Sequence, residues 1–204
     1  MTEGLRARKR RATARLIEQT AVQIAYDEGI DAVTVDRVCD GAMVSRSTFF
    51  NYFPSLEQAI FGAPLQYDSA LTARILAEHG GDLVIAASFI VMESVRGARD
   101  DDVTRQRFAL FSREPGVTNA VSWASHDSRE GLVGVLRRWL DANPGMARLP
   151  ETDHEAEARV AVSLSIALGD EVMRMVPSSD DQFPVPATAI LEARERLARV
   201  AQTR

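Results

Sequence analysis

Apolar residues recur at helical spacing along this chain, and short polar or turn-forming runs separate the segments. In residues 34–53, apolar positions at i, i+3, i+4 and i+7 predict a short helix that ends near Met43-Val44. Ser45 follows in the position of an N-cap and predicts a second short helix. Two short helices joined by a turn predict a helix-turn-helix unit, whose second helix has the usual size for entering a DNA major groove.

The outer side of the second predicted helix is polar and carries no acidic residue. Its side chains can hydrogen-bond to phosphates or base edges, and they are Arg46, Ser47, Thr48, Asn51 and Tyr52. The apolar positions available for burial are Phe49, Phe50 and Phe53. Two amphipathic helices of an ordinary bundle would show a similar pattern, so the neighbouring segments decide between these interpretations.

A basic run precedes the helix pair. Residues 6–15 contain six Lys or Arg and no acid, which is typical of a segment that meets a polyanion. The run leads into a predicted helix from Thr13 to about Glu28, with Gly29 as its C-cap. A basic arm, a supporting helix and a helix-turn-helix pair in this order favour a DNA-binding module.

Breakers divide the rest of the chain into further predicted helices. Ser55 begins helix four, which Gly62-Ala63-Pro64 interrupts and which resumes from about Leu65 to Glu78. Later helices are predicted over residues 82–96, 125–141, 153–176 and 187–201. Between the first two of these, one helix is predicted to begin near residue 102 and a separate short helix to end near Trp123. A Pro-bearing loop is predicted at 177–186. Because no alternating strand pattern competes, the predicted fold is all-α, with a three-helix helix-turn-helix domain at 1–54 and a larger helical domain at 55–204.

The order and spacing of several short stretches resemble a known family. These stretches are Glu28-Gly29, Thr34, Ala42-Met43-Val44-Ser45, Ser47-Thr48-Phe49-Phe50, Tyr52-Phe53 and Pro54-Ser55-Leu56-Glu57. Over residues 12–61 the chain is similar to the N-terminal domain of the TetR/AcrR family of bacterial transcriptional regulators. The resemblance implies a homodimeric regulator, most often a repressor, that binds a palindromic double-stranded DNA operator and releases it when a small hydrophobic molecule binds.

Three residues depart from the family pattern. Met43 stands where the family usually has a turn Gly, so a positive φ would strain it. Phe50 replaces a Tyr whose hydroxyl often reaches a phosphate, and Leu56 replaces a Lys. These departures keep a second hypothesis open, namely an all-α small-molecule-binding or scaffold protein whose N-terminal module no longer reads DNA.

Residue chemistry and the resemblance together predict the DNA contacts. Phosphate contacts are expected from Thr34, Ser45, Thr48 and Tyr52, and from the arm residues Arg10 and Arg11. Base contacts are expected from Arg46, Ser47 and Asn51. The reason is that Arg can be bidentate to guanine and Asn to adenine, while a Ser hydroxyl can bond to either.

The larger domain is predicted to hold the effector site. Candidate ligand-binding residues are large and apolar, with one acid, and they are Phe89, Met92, Phe111, Trp123, Leu168, Glu171 and Met175. Each of the apolar residues could equally be ordinary core. Helix four is expected to couple this domain to the DNA module, with Gly62-Ala63-Pro64 as a hinge that Gly62→Ala would stiffen.

The last two predicted helices are the candidates for dimerisation. Helix 153–176 has many small or apolar residues, which are Ala158, Ala161, Val162, Ser165, Ile166, Gly169, Val172 and Met173. Small residues allow close helix approach, and two such helices from each chain would form a four-helix interface. The alternative is that these faces complete the chain's own core.

Charge and composition agree with a DNA-binding module on an acidic body. The formal net charge is −5, yet residues 1–53 hold eight Lys or Arg against seven Asp or Glu, and residues 54–204 carry a net charge of −6. The local basic run therefore governs encounter with DNA. Cys39, the single cysteine, is predicted to be a small core residue and favours a reducing compartment.

Other function classes find little support in the sequence. Ser125, His126 and Asp127 are consecutive, so on a helix they point in different directions and cannot form a hydrolase relay. The three His are scattered and no Cys pair exists, so neither a metal site nor a cofactor is expected. No apolar run is long enough for a membrane and no signal peptide is visible, so a cytoplasmic protein without a membrane partner is expected.

Overall fold

The computed structural model describes residues 4–98, 102–113, 125–150, 153–175 and 186–201. Its helices are α1 (Leu5–Glu28), α2 (Val35–Ala42), α3 (Arg46–Tyr52), α4 (Leu56–Phe61), α5 (Ser69–His79), α6 (Leu83–Ala98), α7 (Asp102–Arg113), α8 (His126–Ala142), α9 (His154–Met175) and α10 (Ala187–Ala201). Two 3-10 turns, Ile30–Ala32 and Pro144–Met146, lie between them. These described ranges contain no β-strand, which confirms the all-α prediction.

The basic run is helical, so the prediction of a separate arm followed by a helix from Thr13 is wrong. α1 begins at Leu5 and continues unbroken to Glu28. Leu, Arg, Ala and Lys are strong helix formers, and no Gly or Pro interrupts them between Gly4 and Gly29. The six basic residues therefore project from a rigid element.

Caps fix the beginnings of the two short helices. The Thr34 side chain accepts a hydrogen bond from the Arg37 backbone N–H at 3.3 Å and begins α2. The Ser45 hydroxyl accepts one from the Thr48 backbone N–H at 3.1 Å and begins α3. The cap at Ser45 was predicted, whereas the cap at Thr34 was not. In both, a side-chain oxygen at the N-cap satisfies an otherwise unpaired backbone donor.

The first of two hydrophobic cores joins α1–α4 with a helix from much later in the chain. Phe49 and Ile17 are fully buried in it, and α4 contributes Ala59, Ile60 and Phe61. Val103 and Leu110 of α7 complete the same core. Cys39 is a buried member, and burial raises the pKa of its thiol, which keeps the thiol protonated. The helix after the predicted boundary at residue 54 therefore packs with the helices before it.

The segment between α4 and α5 is not helical, so the prediction that the helix resumes at Leu65 is wrong. α5 begins at Ser69, and its cap is Asp68, whose Oδ1 accepts from the Leu71 N–H at 2.8 Å. The linker is held instead by α8, because the Ser128 hydroxyl accepts from the Leu65 N–H at 2.8 Å. Burial of the Tyr67 side chain raises the pKa of its hydroxyl, which donates to the Ser128 carbonyl at 3.1 Å.

The expected hinge test at Gly62 also needs correction. Gly62 is the C-cap of α4 and has φ 89°, in a region that residues with a Cβ rarely adopt. Gly62→Ala would therefore strain the end of α4 rather than stiffen the linker alone. It is not a clean test of coupling between the domains.

The second core is built by α5, α6, α8, α9 and α10. Its fully buried members include Ile90, Leu136, Leu140 and Ala158. Asp82 begins α6 as predicted, because its Oδ1 accepts from the Val84 and Ile85 N–H groups. The predicted helix near Trp123 and most of the predicted loop at 177–186 lie outside the described residues.

Candidate DNA-binding site

Helix α3 presents a polar outer face on a firmly packed base. Phe49 is fully buried, whereas Arg46, Ser47 and Asn51 are exposed. Phe50 is 49% exposed, so the prediction that it is available for burial is wrong. Successive residues of a helix lie about 100° apart, so burial of Phe49 turns the next side chain toward solvent.

The predicted phosphate-binding hydroxyls lie at the beginnings of α2 and α3. Thr34 is exposed at the start of α2. The Ser45 and Thr48 hydroxyl oxygens are 2.8 Å apart at the start of α3. Each hydroxyl accepts or shares a local hydrogen bond and still has capacity toward an outside acceptor such as a phosphate oxygen.

Arg10 of α1 reaches the same surface. The Arg10 guanidinium lies over the Tyr52 ring, 5.9 Å from its centroid, within the range of a cation–π contact. This contact joins the basic part of α1 to the last turn of α3. Arg11 is exposed on the next position of α1. The structure thus brings Arg10 to the side of α3 on which Tyr52 lies.

Sequence reasoning missed an acidic neighbour of α3. Asp36 in the first turn of α2 accepts a hydrogen bond from Arg46 Nη1 at 2.5 Å. The prediction that the outer side of the second helix carries no acid holds, because the acid belongs to α2. No pattern along the sequence marks this contact, because it depends on the angle between α2 and α3.

The turn between α2 and α3 is strained at one residue, as expected from the departure at Met43. Met43 has φ 53° and ψ 44°, the left-handed conformation, and its side chain is 87% exposed. A residue with a Cβ is disfavoured there by about 1–2 kcal/mol, and the exposed Met offers no packing in return.

Met43→Gly is therefore expected to raise the free energy of unfolding by about 1 kcal/mol, because Gly adopts this conformation without steric cost. Urea unfolding measured by circular dichroism checks this. Met43→Ala is the control, since it removes the exposed side chain but keeps the Cβ, and its stability should stay close to that of the unaltered protein. Equal gains for both variants would contradict a backbone origin.

The predicted ligand-binding residues fall into different environments. Phe89 and Leu168 are buried in the second core, with the Phe89 ring stacked on His79 at 4.7 Å, and Met92 and Met175 pack partly buried against that core. Trp123 and the side chain of Phe111 lie outside the described residues. Glu171 does not lie among the apolar residues, since it pairs with Arg174 at 3.6 Å and Arg196 at 3.5 Å near the surface.

The consecutive Ser125, His126 and Asp127 have a structural explanation. The Ser125 hydroxyl caps α8 by accepting from the Ser128 N–H at 3.3 Å, and His126 and Asp127 are exposed in the first turn. Across the described ranges, no group of three His, Cys, Asp or Glu is arranged to hold a metal ion. Within those same ranges, no helix combines the length and apolar character needed to cross a membrane.

A capped helix-turn-helix unit beside a basic helix, followed by a larger set of helices, defines an all-α DNA-binding regulator. Residues 17–58 match the family model described as bacterial regulatory proteins, tetR family. Residues 17–58 therefore form a DNA-binding domain of the TetR family of transcriptional regulators.

Relatives extend the likeness along the chain. The transcriptional regulator TcmR of Streptomyces glaucescens is 25% identical over 179 residues, which cover 84% of this chain and 76% of that protein. The solved structure of Thermus thermophilus FadR, a TetR-family repressor in complex with lauroyl-CoA, has a TM-score of 0.50 and 19% identity, with 94% of this chain and 96% of that chain covered. A TetR-family regulator from Shewanella sp. PV-4 has a TM-score of 0.47 and 19% identity, with coverages of 94% and 99%.

Proposed function

We propose that this protein is a repressor that binds a palindromic operator as a homodimer and releases it when a small hydrophobic molecule binds. The observation that carries the DNA-binding part is the joint surface of α3 and α1, where Arg10 lies over Tyr52 beside the exposed polar residues of α3. Two such surfaces in a twofold dimer would meet half-sites separated by about 34 Å or a multiple of it.

A mobility-shift assay on DNA flanking the protein's own gene tests this proposal. A palindromic site should bind with a dissociation constant of about 10 nM or below, at least about 1,000-fold tighter than a scrambled duplex. A salt series should show affinity falling linearly on a log–log plot. Weak and equal binding to both duplexes would instead favour the small-molecule-binding or scaffold protein.

Within this function, contacts divide into two groups. Arg46, Ser47 and Asn51 are proposed to contact base edges, because they are the exposed polar residues of α3. The remaining predicted residues are proposed to contact phosphates, and they are Arg10, Arg11, Thr34, Ser45, Thr48 and Tyr52.

Arg10→Gln with Arg11→Gln is expected to flatten the salt dependence of DNA binding. Each lost phosphate contact should reduce the slope of log affinity against log salt by roughly 0.9, for operator and scrambled DNA alike. Because both residues lie within α1, substitution tests their charge without deleting helix, as truncation of residues 1–11 would. Fluorescence anisotropy at four salt concentrations measures the slope. An unchanged slope would show that this part of α1 stays clear of DNA.

The proposed division of the chain into two functional units follows the two hydrophobic cores. α1–α4 would form the DNA-binding unit and the helices from α5 onward the effector and dimer unit. Because α4 shares the first core, we place the division in the linker at 62–68, later than residue 54. The apolar residues Phe89, Met92, Leu168 and Met175 remain proposed ligand contacts, together with Phe111 and Trp123.

A second copy of this chain is the proposed occupant of the outer face of α9. The small residues expected at a dimer interface lie largely in the chain's own core, since Ala158, Ala161 and Ser165 are buried. A different stripe is exposed, at the spacing i, i+4 and i+7, and consists of Val160, Leu164 and Ala167. Exposed apolar residues at helical spacing suit the helix–helix interface that the family implies.

Leu164→Glu is expected to weaken dimerisation by at least about 100-fold, because an unpaired charge would be buried in the interface. Analytical ultracentrifugation across a concentration series gives the dissociation constant. Met146→Glu is the matched control, since Met146 is also a half-exposed apolar residue but lies in a 3-10 turn and not on α9. A dimer unaffected by Leu164→Glu would place the interface elsewhere.

Coupling between the two units is proposed to run through α7 as well as helix four. Arg107 of α7 donates from Nε to the Ile60 carbonyl at 2.5 Å and from Nη2 to Glu18 of α1 at 2.7 Å. The Ile60 and Ala59 carbonyls belong to the last turn of α4, where they lack helical partners. A ligand that displaces α7 would therefore shift α4 and α1 through the Arg107 hydrogen bonds, without acting through the linker at 62–68.

A further inference from the structure

An ion pair crosses the turn between α2 and α3. Asp36 Oδ1 accepts from Arg46 Nη1 at 2.5 Å, and the two side chains are 70% and 60% exposed. An exposed pair of this kind adds little to the stability of a fold, because water screens it and both side chains lose freedom. Its position on the proposed DNA-binding face suggests a role in recognition.

The geometry of the pair leaves the reading edge of Arg46 available. The contact with Asp36 uses Nη1, whereas guanidinium also carries donors on Nε and Nη2. Those two nitrogens lie on one edge of the planar group and match the spacing of guanine N7 and O6. The backbone of Arg46 is meanwhile held in place, since the residue directly follows the Ser45 cap of α3.

We infer that Asp36 is a positioning residue that holds the Arg46 guanidinium by Nη1 and so orients its other edge toward a guanine. This inference rests on the proposed function, in which Arg46 contacts a base. The carboxylate also repels phosphate oxygens, so it weakens binding to DNA sites at which Arg46 has no guanine to contact. Asp36 therefore acts on the ratio of specific to nonspecific binding more than on total affinity.

Selection of operator sequences from a library of random duplexes, followed by sequencing, tests the inference without knowledge of the effector. The unaltered protein should select guanine at one position in each half-site, and Arg46→Ala should lose that preference. Asp36→Asn should reduce the guanine preference by about 2- to 5-fold, the effect of an exposed ion pair. Its affinity for scrambled DNA should be equal or higher, because a charge that repels phosphates is gone.

Three further variants make the result specific to the pair. Asp40→Asn removes the same charge from the same helix, but Arg46 pairs with Asp36 and not with Asp40. The Asp40→Asn variant should therefore show the same guanine preference as the unaltered protein. In an Arg46→Ala background, Asp36→Asn should cause no further change in base preference. Asp36→Ser, which also suits the first turn of a helix, should reproduce the effect of Asp36→Asn and guards against a folding defect in either variant.

The outcomes distinguish the positioning role of Asp36 from the proposed base contact by Arg46. If Arg46→Ala loses the guanine preference while Asp36→Asn and Asp36→Ser keep it in full, the positioning role of Asp36 is wrong and the base contact by Arg46 stands. If Arg46→Ala selects the same sequences as the unaltered protein, the base contact is wrong and the inference falls with it. If Asp40→Asn lowers the preference as much as Asp36→Asn does, the effect is general charge and the pair is not its cause.

Discussion

Arg107→Met is expected to lower the free energy of unfolding by about 2–4 kcal/mol. It removes charge-assisted hydrogen bonds from a largely buried site and leaves the Glu18 carboxylate without its partner. The Arg107 and Glu18 side chains are only 14% and 23% exposed. Methionine preserves much of the apolar stem, so the loss reports the guanidinium group. Urea unfolding measured by circular dichroism gives the value.

Arg105→Met is the matched control on the same helix. Arg105 pairs with the exposed Asp102, and the two side chains are 42% and 87% exposed, so its replacement should change stability by no more than about 0.5 kcal/mol. In a Glu18→Gln background, Arg107→Met should cost less than it does alone, since the two residues share one interaction. Equal losses for Arg105→Met and Arg107→Met would refute the special role of the buried contact.

The location of the effect is a further consequence. Arg107 binds the carbonyls at the end of α4, so its removal should speed amide hydrogen exchange in α4 and in the part of α1 near Glu18. Exchange in α8, whose capped start is held by Ser125, should change little. A uniform increase along the whole chain would indicate general destabilisation and would contradict a local connection between the two units.

Arg46→Ala is expected to cost about 1–3 kcal/mol of discrimination between operator and scrambled DNA, the usual contribution of a bidentate contact with guanine. Binding to scrambled DNA should fall only as far as the loss of one positive charge requires. Anisotropy titrations of both duplexes at the same salt concentration measure the two losses separately.

Arg46→Lys sharpens this test because it keeps the charge and removes the planar pair of donors. A residue that reads guanine should lose most of its discrimination with Lys while affinity for scrambled DNA is kept. If Lys restores operator binding in full, Arg46 serves only as a charge on the phosphate backbone, and the base-reading role passes to Ser47 or Asn51.

Local features of the fold could be predicted from the sequence because neighbouring residues determine them. Ser45 and residue 82 were predicted from residue type and position as the beginnings of two helices, and both side chains cap their helices. The left-handed conformation of Met43 agrees with the Gly that the resembled family usually has at this position. Hydrogen bonds that span three or four residues depend on little else, so distant parts of the chain scarcely alter them.

Contacts between distant segments could not be predicted in the same way. Arg107 lies 47 residues from Ile60 and 89 residues from Glu18, and no periodic pattern relates them. α9 is apolar on two sides, so the sequence could not tell which side packs inside the chain and which remains exposed. The structure resolves this ambiguity, because packing against α6 and α8 buries Ala158 and leaves Val160 outside.

The sequence by itself determined the helical class, the helix-turn-helix unit and the resemblance of its N-terminal part to the TetR family, since these depend on spacing, capping and short-range order. Only the tertiary structure decided that α7 completes the core of the DNA-binding unit, that the basic residues project from a rigid α1, and that Asp36 meets Arg46. Each of these depends on how helices far apart or joined by a turn are oriented in space. Orientation arises from the packing of many side chains at once, which the pattern along one segment does not contain.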